Sequence, residues 1–281
     1  MSVINTNVSA ILTQNSLAKN ERAMSGAMEQ LSTGKRINSA ADDAAGLAIS
    51  SRMTAQINGL DQSVRNANDA ISLVQTADGA LIEVTAMLQR MRTLAVQSAS
   101  DTNTTADRTA LDAEFALLRT EIDRIGDNTQ WNGENLLNAS GGADSDGAYK
   151  FQVGANANQT VNITIGEYGT GDGELLAAVI STVDIDSLAD ANLAITAVDT
   201  AIAAVNSGRA TMGATINVLQ YAADNLANVS LNATASRSRV EDTDYSSATT
   251  ELARTQIIAQ AATAMLAQAN QMPQTVLSLL K

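Results

Sequence analysis

Two acidic groupings hold the side chains best typed and spaced for chemistry in this sequence. The neighbours Asp42 and Asp43 could serve a metal or a catalytic role, and Asp144-Ser145-Asp146-Gly147 begins like a calcium loop. The second grouping lacks the remaining ligands and the closing Glu of such a loop. The first has a plainer account. With Ser39 as an N-cap, the pair falls in the first turn of a helix, where the dipole favours negative charge. The rest of the chemical repertoire is missing. The 281 residues contain no His and no Cys. That removes the usual general base, the Ser-His-Asp triad, the HExxH zinc site, thiolate nucleophiles, disulfides and iron–sulfur ligation. The residues therefore point to no catalytic residue, no metal site and no cofactor, and the chain is not expected to be an enzyme.

The elements that carry these residues read as long helices. In the first stretch, residues 3–32, Ile4, Val8 and Ile11 sit at spacings of four and three, and Met24, Met28 and Leu31 repeat them. A break follows at Ser32-Thr33-Gly34-Lys35. Residues 44–100 form the longest periodic segment, with Met53, Ile57, Leu60, Val64, Ala67, Ile71 and Val74 at heptad positions. After a phase slip at Asp78-Gly79 the pattern resumes with Leu81, Val84, Leu88, Met91 and Ala95. As one helix this segment would span roughly 85 Å, against about 50 Å for a compact globule of this chain length. The expected molecule is a rod.

A third helix is expected over 104–126. It opens on the capping box Thr104…Asp107, continues through Leu111, Phe115, Leu118, Ile122 and Ile125, and has Gly126 as its C′ residue. Ten of the 17 glycines lie between Gly126 and Gly173, so the centre is rich in turns. Within it, Tyr149, Phe151, Val153 and then Val161, Ile163, Ile165 alternate with polar residues, which predicts a hairpin at about 148–166. The helical period returns at about 186–234, with Val198, Val205, Met212, Leu219 and Leu226 on one heptad position and the small residues Ala201, Gly208, Thr215 and Ala222 on its partner. A polar interruption from Ser236 to Tyr245 mirrors the break at 32–39. The last arm carries Ile258, Ala262, Met265, Ala269, Met272, Val276 and Leu279, with Pro273 expected to kink or loosen it.

The reading is a mainly α chain: an elongated antiparallel coiled-coil and helical-bundle rod with a small β-hairpin, both termini lying in a second coiled-coil domain. Residues 1–39 and 236–281 are the two arms of that domain, and 40–235 is the rod. The net charge of −13 supports the division, because 1–39 carries +2 and 236–281 carries none, leaving −15 in the middle. An acidic middle repels polyanions, so nucleic acid is not an expected partner. No run of 18 apolar residues predicts membrane insertion, and the N-terminus lacks the charged-then-apolar pattern of a secretory signal peptide. The arms are short, Ala-rich and poor as a monomer core. They are expected to be completed by neighbouring copies, with Ile4, Val8, Ile11, Met24, Met28, Leu31, Ile258, Met265, Met272, Val276 and Leu279 as the self-assembly residues.

The arms also resemble a known family. MSVINTNVSAILTQNSLAKN with QLSTGKRINSAADDAAGLAIS is similar to the N-terminal region of bacterial flagellin. SRSRVEDTDYSS with ARTQIIAQAATAMLAQANQMPQTVLSLL is similar to its C-terminal region, and NGENLL and FQVGANANQTVNITI also resemble flagellin. The likeness covers nearly the whole chain, which is short, as though the variable outer domains of longer flagellins were absent. It implies a secreted structural protein that polymerises helically into the extracellular flagellar filament for swimming motility. Export would be through the flagellar type III apparatus, without a cleaved signal peptide. Implied partners are other flagellin subunits, the flagellar secretion chaperone on the C-terminal arm, the filament cap protein and the hook–filament junction proteins. A hook–filament junction (hook-associated) protein of the same superfamily is the alternative. The resemblance further implies recognition by the innate receptor TLR5 through Leu88, Gln89, Arg90, Arg92, Leu94, Gln97 and Glu114, with Thr93 departing from the Glu usual in strong activators.

Overall fold

The computed structural model describes residues 6–142, 147–169, 176 and 183–278, the last seven of these by backbone alone. Five helices and two short antiparallel hairpins make up the described residues. They run α1 (Val8–Thr33), α2 (Ala44–Ser98), α3 (Thr105–Asn128), β1 (Gln130–Trp131), β2 (Glu134–Asn135), β3 (Ala148–Gln152), β4 (Thr160–Thr164), α4 (Leu188–Glu241) and α5 (Tyr245–Ser278). The mainly α expectation holds, with the small hairpin where the alternation placed it.

Side chains set the helix ends. Asn7 Oδ1 accepts from Ala10 N at 3.1 Å to start α1, and Gly34 ends it in the left-handed conformation with its N–H on Gln30 O. Thr104 and Asp107 form the expected capping box on α3. At the start of α2 the roles differ from the sequence expectation. Asp43 is the residue that caps, its Oδ1 accepting from Gly46 N at 2.9 Å. Ser39 lies upstream in a turn closed by Asp42, whose Oδ2 accepts from Asn38 N, Ser39 N and Ser39 Oγ.

Several boundaries move for identifiable reasons. Helix α3 passes through Gly126 and ends at Asn128, so Gly126 is not the terminator. It is buried because Gly169 approaches so closely that an added Cβ would meet its Cα at 3.3 Å. The phase slip expected at Asp78-Gly79 does not occur. From Ala67 onward one line of buried positions in α2 runs Ala67, Ala70, Val74, Ala77, Leu81, Val84, Leu88, Met91 and Ala95 without a break in the three–four spacing; the irregular step lies upstream, where Ile57, Leu60 and Ser63 follow at three and three. Small Ala70 and Ala77 hold core positions, and the larger Ile71 beside Ala70 obscures that one in the sequence. Ser236 to Arg239 stay helical, because Arg237 donates to Thr54 Oγ1 and Ser238 to Asp242 Oδ2, and the chain breaks only at 242–244. Helix α5 runs through Pro273 to Ser278.

The chain divides into two compact units, one of Met1–Gln56 with Leu231–Lys281, the other of Ile57–Ser230. In the second, α2, α3 and α4 pack around Leu81, Leu88, Met91, Leu94, Phe115, Ile122, Val198, Val205, Met212 and Leu219, all buried. The alanines between them let helices approach closely, which offsets the scarcity of aromatics. The β3–β4 hairpin pairs Tyr149 with Ile163 and Phe151 with Val161. It lies on this unit's own helices: Tyr149 and Ile163 are buried, and Asn66 Nδ2 of α2 donates to Gln152 O at 3.0 Å. The Asn132-Gly133 turn joins a second, two-residue pair, β1–β2.

In the first unit α1 and α5 lie antiparallel. Two side-chain hydrogen bonds pin the register: Asn7 Nδ2 donates to Ala269 O and Asn20 Nδ2 to Thr255 O, both at 2.7 Å. Ala27, Ala248, Thr255 and Ala269 are buried along this seam. A buried Asn in a coiled-coil seam costs stability but fixes one register.

Candidate functional site

The residues expected to drive self-association divide between two faces of the arm helices. The seam between α1 and α5 is built from small or polar residues, with Met24 and Leu31 half-buried in it. Val8, Ile11 and Met28 on α1, and Ile258 and Met265 on α5, stand outside the seam with large exposed apolar surfaces. Leu12 and Ile257, which the periodicity did not single out, join them. Val8, Ile11, Met28, Ile258 and Met265 therefore mark a face different from the intramolecular one, which Ala, Asn and Thr occupy with Met24 and Leu31. Met272 and Val276 are placed on α5 by backbone only, and Ile4 and Leu279 lie outside the described residues.

A polar cluster that periodicity could not reveal joins the chain breaks in the same unit. Glu241, at the end of α4, accepts from the Lys35 ammonium and from Ser50 Oγ at 2.5 Å. Around it Arg36 N donates to Glu241 O at 2.7 Å, Arg36 Nη2 to Val240 O at 2.8 Å, and Thr243 N to Gly34 O at 3.0 Å. Lys35 and Asp242 form an isolated β-bridge. The hydrogen bond from Lys35, followed by that from Ser50, holds the Glu241 carboxyl below its ordinary range. The loop after α1 and the loop after α4 are thus tied to each other and to the first turns of α2.

The residues compared with a receptor epitope lie on α2 in the second unit. Gln89, Arg90, Arg92, Thr93 and Gln97 are exposed. Arg90 Nε and Nη2 donate to Glu114 Oε1 of α3 at 2.9 and 2.7 Å. Arg92 donates to both carboxylate oxygens of Asp199 on α4, at 2.6 and 3.2 Å, and that bond lowers the Asp199 pKa. Leu88 and Leu94 have no accessible surface; they pack beneath the patch and present nothing to a partner in this conformation. Asp199 could not have been found by spacing, because 107 residues separate it from Arg92.

The carboxylates weighed for chemistry are already engaged. Asp42 is held below its ordinary pKa by the Ser39 N–H, then the Ser39 hydroxyl and the Asn38 N–H, and Asp43 caps α2. Among the described residues no three acidic side chains gather as a metal site would require; Asp144 and Asp146 lie outside them. By length and composition α2 and α4 could each cross a membrane, but their apolar heptad positions are the ones packed in the core of the second unit.

Comparison with known proteins agrees along the chain. Residues 4–141 match the bacterial flagellin N-terminal helical region and 195–280 the bacterial flagellin C-terminal helical region. The chain is 45% identical to a flagellin of Halalkalibacterium halodurans over 279 residues, covering 99% of this chain and 100% of that one. It is 41% identical to a flagellin of Bacillus subtilis over 312 residues, covering 99% of each. A solved structure of a putative flagellar hook-associated protein from Vibrio parahaemolyticus superposes with a TM-score of 0.61 over 72% of this chain and 100% of that one, at 16% identity, a likeness of fold alone.

Proposed function

The chain belongs to the bacterial flagellin family, and from that premise we propose how its surfaces serve a flagellar filament. It is a structural subunit that self-polymerises, not an enzyme, and its place is the extracellular filament. In our reading the arms, 1–39 and 236–281, form an inner coiled-coil domain, and 40–235 forms an outer rod domain. Neighbouring copies cover the outer faces of α1 and α5 as subunits add helically, and the filament drives swimming. The observation that carries this is the exposure of Val8, Ile11, Leu12, Ile257, Ile258 and Met265 on helices whose own seam is already filled by other residues. Surfaces of that kind mark association sites. Deleting 1–39 or 258–281 should give subunits that stay in the supernatant under conditions that sediment the full chain. A truncate that still sediments as filaments would remove the arms from this role.

The same reading includes export through the flagellar type III system. It also includes a secretion chaperone on the C-terminal arm, and a cap protein and hook–filament junction proteins at the ends of the polymer. The junction-protein alternative is the weaker one, because the relatives at 45% and 41% identity are flagellins across their whole length. Recognition by TLR5 would use Gln89, Arg90, Arg92, Gln97 and Glu114, with Leu88 and Leu94 supporting α2 from below. Exposure of the first four and the Arg90–Glu114 pair favour it. Depolymerised protein should activate a receptor-bearing reporter cell, and Arg90→Ala should weaken the response. Silence from the unmodified protein would dismiss the receptor.

A further inference from the structure

Thioether sulfur is the chain's only sulfur, with nine Met and no Cys. Met91 and Met212 are buried, and Met24, Met53 and Met87 are half-buried. Met265, at 62% exposure, and Met28, at 52%, stand open, both on arm helices and both outside the α1–α5 seam. The Asn7–Ala269 and Asn20–Thr255 bonds fix a register that sets Met265 level with Ala10 and Ile11. Met265 thus shares a band of the helix pair with exposed Ile11, Val8 and Leu12. This is the band that the self-polymerisation reading, on which the inference rests, gives to neighbouring copies.

A thioether in such a band packs much as a Leu would, since the two swap with little change of volume. Its sulfoxide does not, because oxidation turns a flexible apolar side chain into a polar one. A polar oxygen covered without a donor disfavours burial. We infer that Met265, with Met28 as a second site, is an oxidation site that gates entry into the polymer. A peroxide oxidant meets the sulfur on the free subunit, and the oxidised subunit is excluded from assembly. In the step, the Met265 sulfur lone pair attacks one oxygen of hydrogen peroxide. The S–O bond forms as the O–O bond breaks, the sulfur loses two electrons and the peroxide gains them. Proton transfer to the departing oxygen releases one water. The step is reversible by methionine sulfoxide reductases.

The test treats depolymerised full-length protein with hydrogen peroxide to partial oxidation, induces polymerisation and sediments the polymer. Peptide mass spectrometry then compares Met265 and Met28 sulfoxide in pellet and supernatant. The expected result is sulfoxide depleted in the pellet on the order of tenfold at Met265, with Met91 and Met212 unmodified in both. Reduction by the sulfoxide reductases should return the excluded subunits to the pellet. Met265→Leu with Met28→Leu should polymerise after peroxide as well as before. Equal sulfoxide in pellet and supernatant overturns the inference, and so does a double Leu variant that loses polymerisation after peroxide as the unmodified protein does. Failure of untreated protein to polymerise is a different outcome and overturns the self-polymerisation reading itself.

Discussion

Two glycines five residues apart in α4 should respond to the same substitution with opposite signs. A Cβ built on Gly208 would lie 1.7 Å from Tyr168 Oη and 2.7 Å from Tyr168 Cζ, whereas one built on Gly213 meets nothing within 4 Å. Tyr168 is buried in the core of the second unit, so its ring cannot swing aside without disturbing its neighbours. Overpacking of this kind costs about 1–3 kcal/mol, and the better helix propensity of Ala returns about 1 kcal/mol. A 1.7 Å approach puts Gly208→Ala in the upper part of that range, about 2–3 kcal/mol, so the net destabilisation is about 1–2 kcal/mol and the melting temperature falls by roughly 2–8 °C. Gly213→Ala carries the propensity gain alone and should stabilise by about 0.5–1 kcal/mol. Tyr168→Phe removes the nearest clashing atom and leaves Cζ, so it should rescue part of the Gly208→Ala loss, a coupling that a double-mutant cycle reads directly. The assay is urea and thermal unfolding of the depolymerised subunit followed by helical circular dichroism. Equal effects at the two positions, or no coupling between Gly208→Ala and Tyr168→Phe, would refute the packing argument.

Other outcomes follow from the polar and charged groups. The Glu241 carboxyl has a folded pKa below its ordinary value near 4.5, so its contribution is present above that value and is lost as the pH falls through the lower one. Glu241→Gln should cost about 1 kcal/mol at neutral pH and flatten the acid limb of stability between pH 4.5 and the folded pKa, as urea midpoints across pH would show. Residues 57–230 hold eight basic and 22 acidic side chains, a net −14, while the rest of the chain holds +1. Screening of that repulsion should make polymerisation faster as salt rises from about 10 to 150 mM, visible in light scattering. Asn20→Leu should raise the stability of the arm pair while loosening its register, with new oligomeric species appearing in sedimentation.

The helices were legible in the sequence because a heptad repeat declares itself through residue size. The same feature limited the reading. In α2 the expected slip at Asp78-Gly79 came from counting Ile71 as core when the buried residue is Ala70, too small to register as a hydrophobic signal. On the arms, large apolar residues pointed to an interface, but the intramolecular seam is made of Asn20, Ala27, Ala248 and Thr255. Size therefore reported the outward face at Val8, Ile11, Met28, Ile258 and Met265, and the seam only at Met24 and Leu31. Caps were readable where the side chain lies near its acceptor in sequence, as at Thr104 and Asp107. The ties that join distant segments, Lys35 and Ser50 to Glu241 and Arg92 to Asp199, have no local signature and needed the fold.

The central claim is that the outward apolar faces of the arm helices join one subunit to the next. Negative-stain electron microscopy tests it most directly, comparing purified protein with an Ile11→Asp, Ile258→Asp variant after identical polymerisation. Both substitutions fall on exposed positions, so circular dichroism should report the same helical subunit for each. The account predicts long filaments from the unmodified protein and none from the variant. Filaments of equal length and number from both, or none from the unmodified protein, would contradict it.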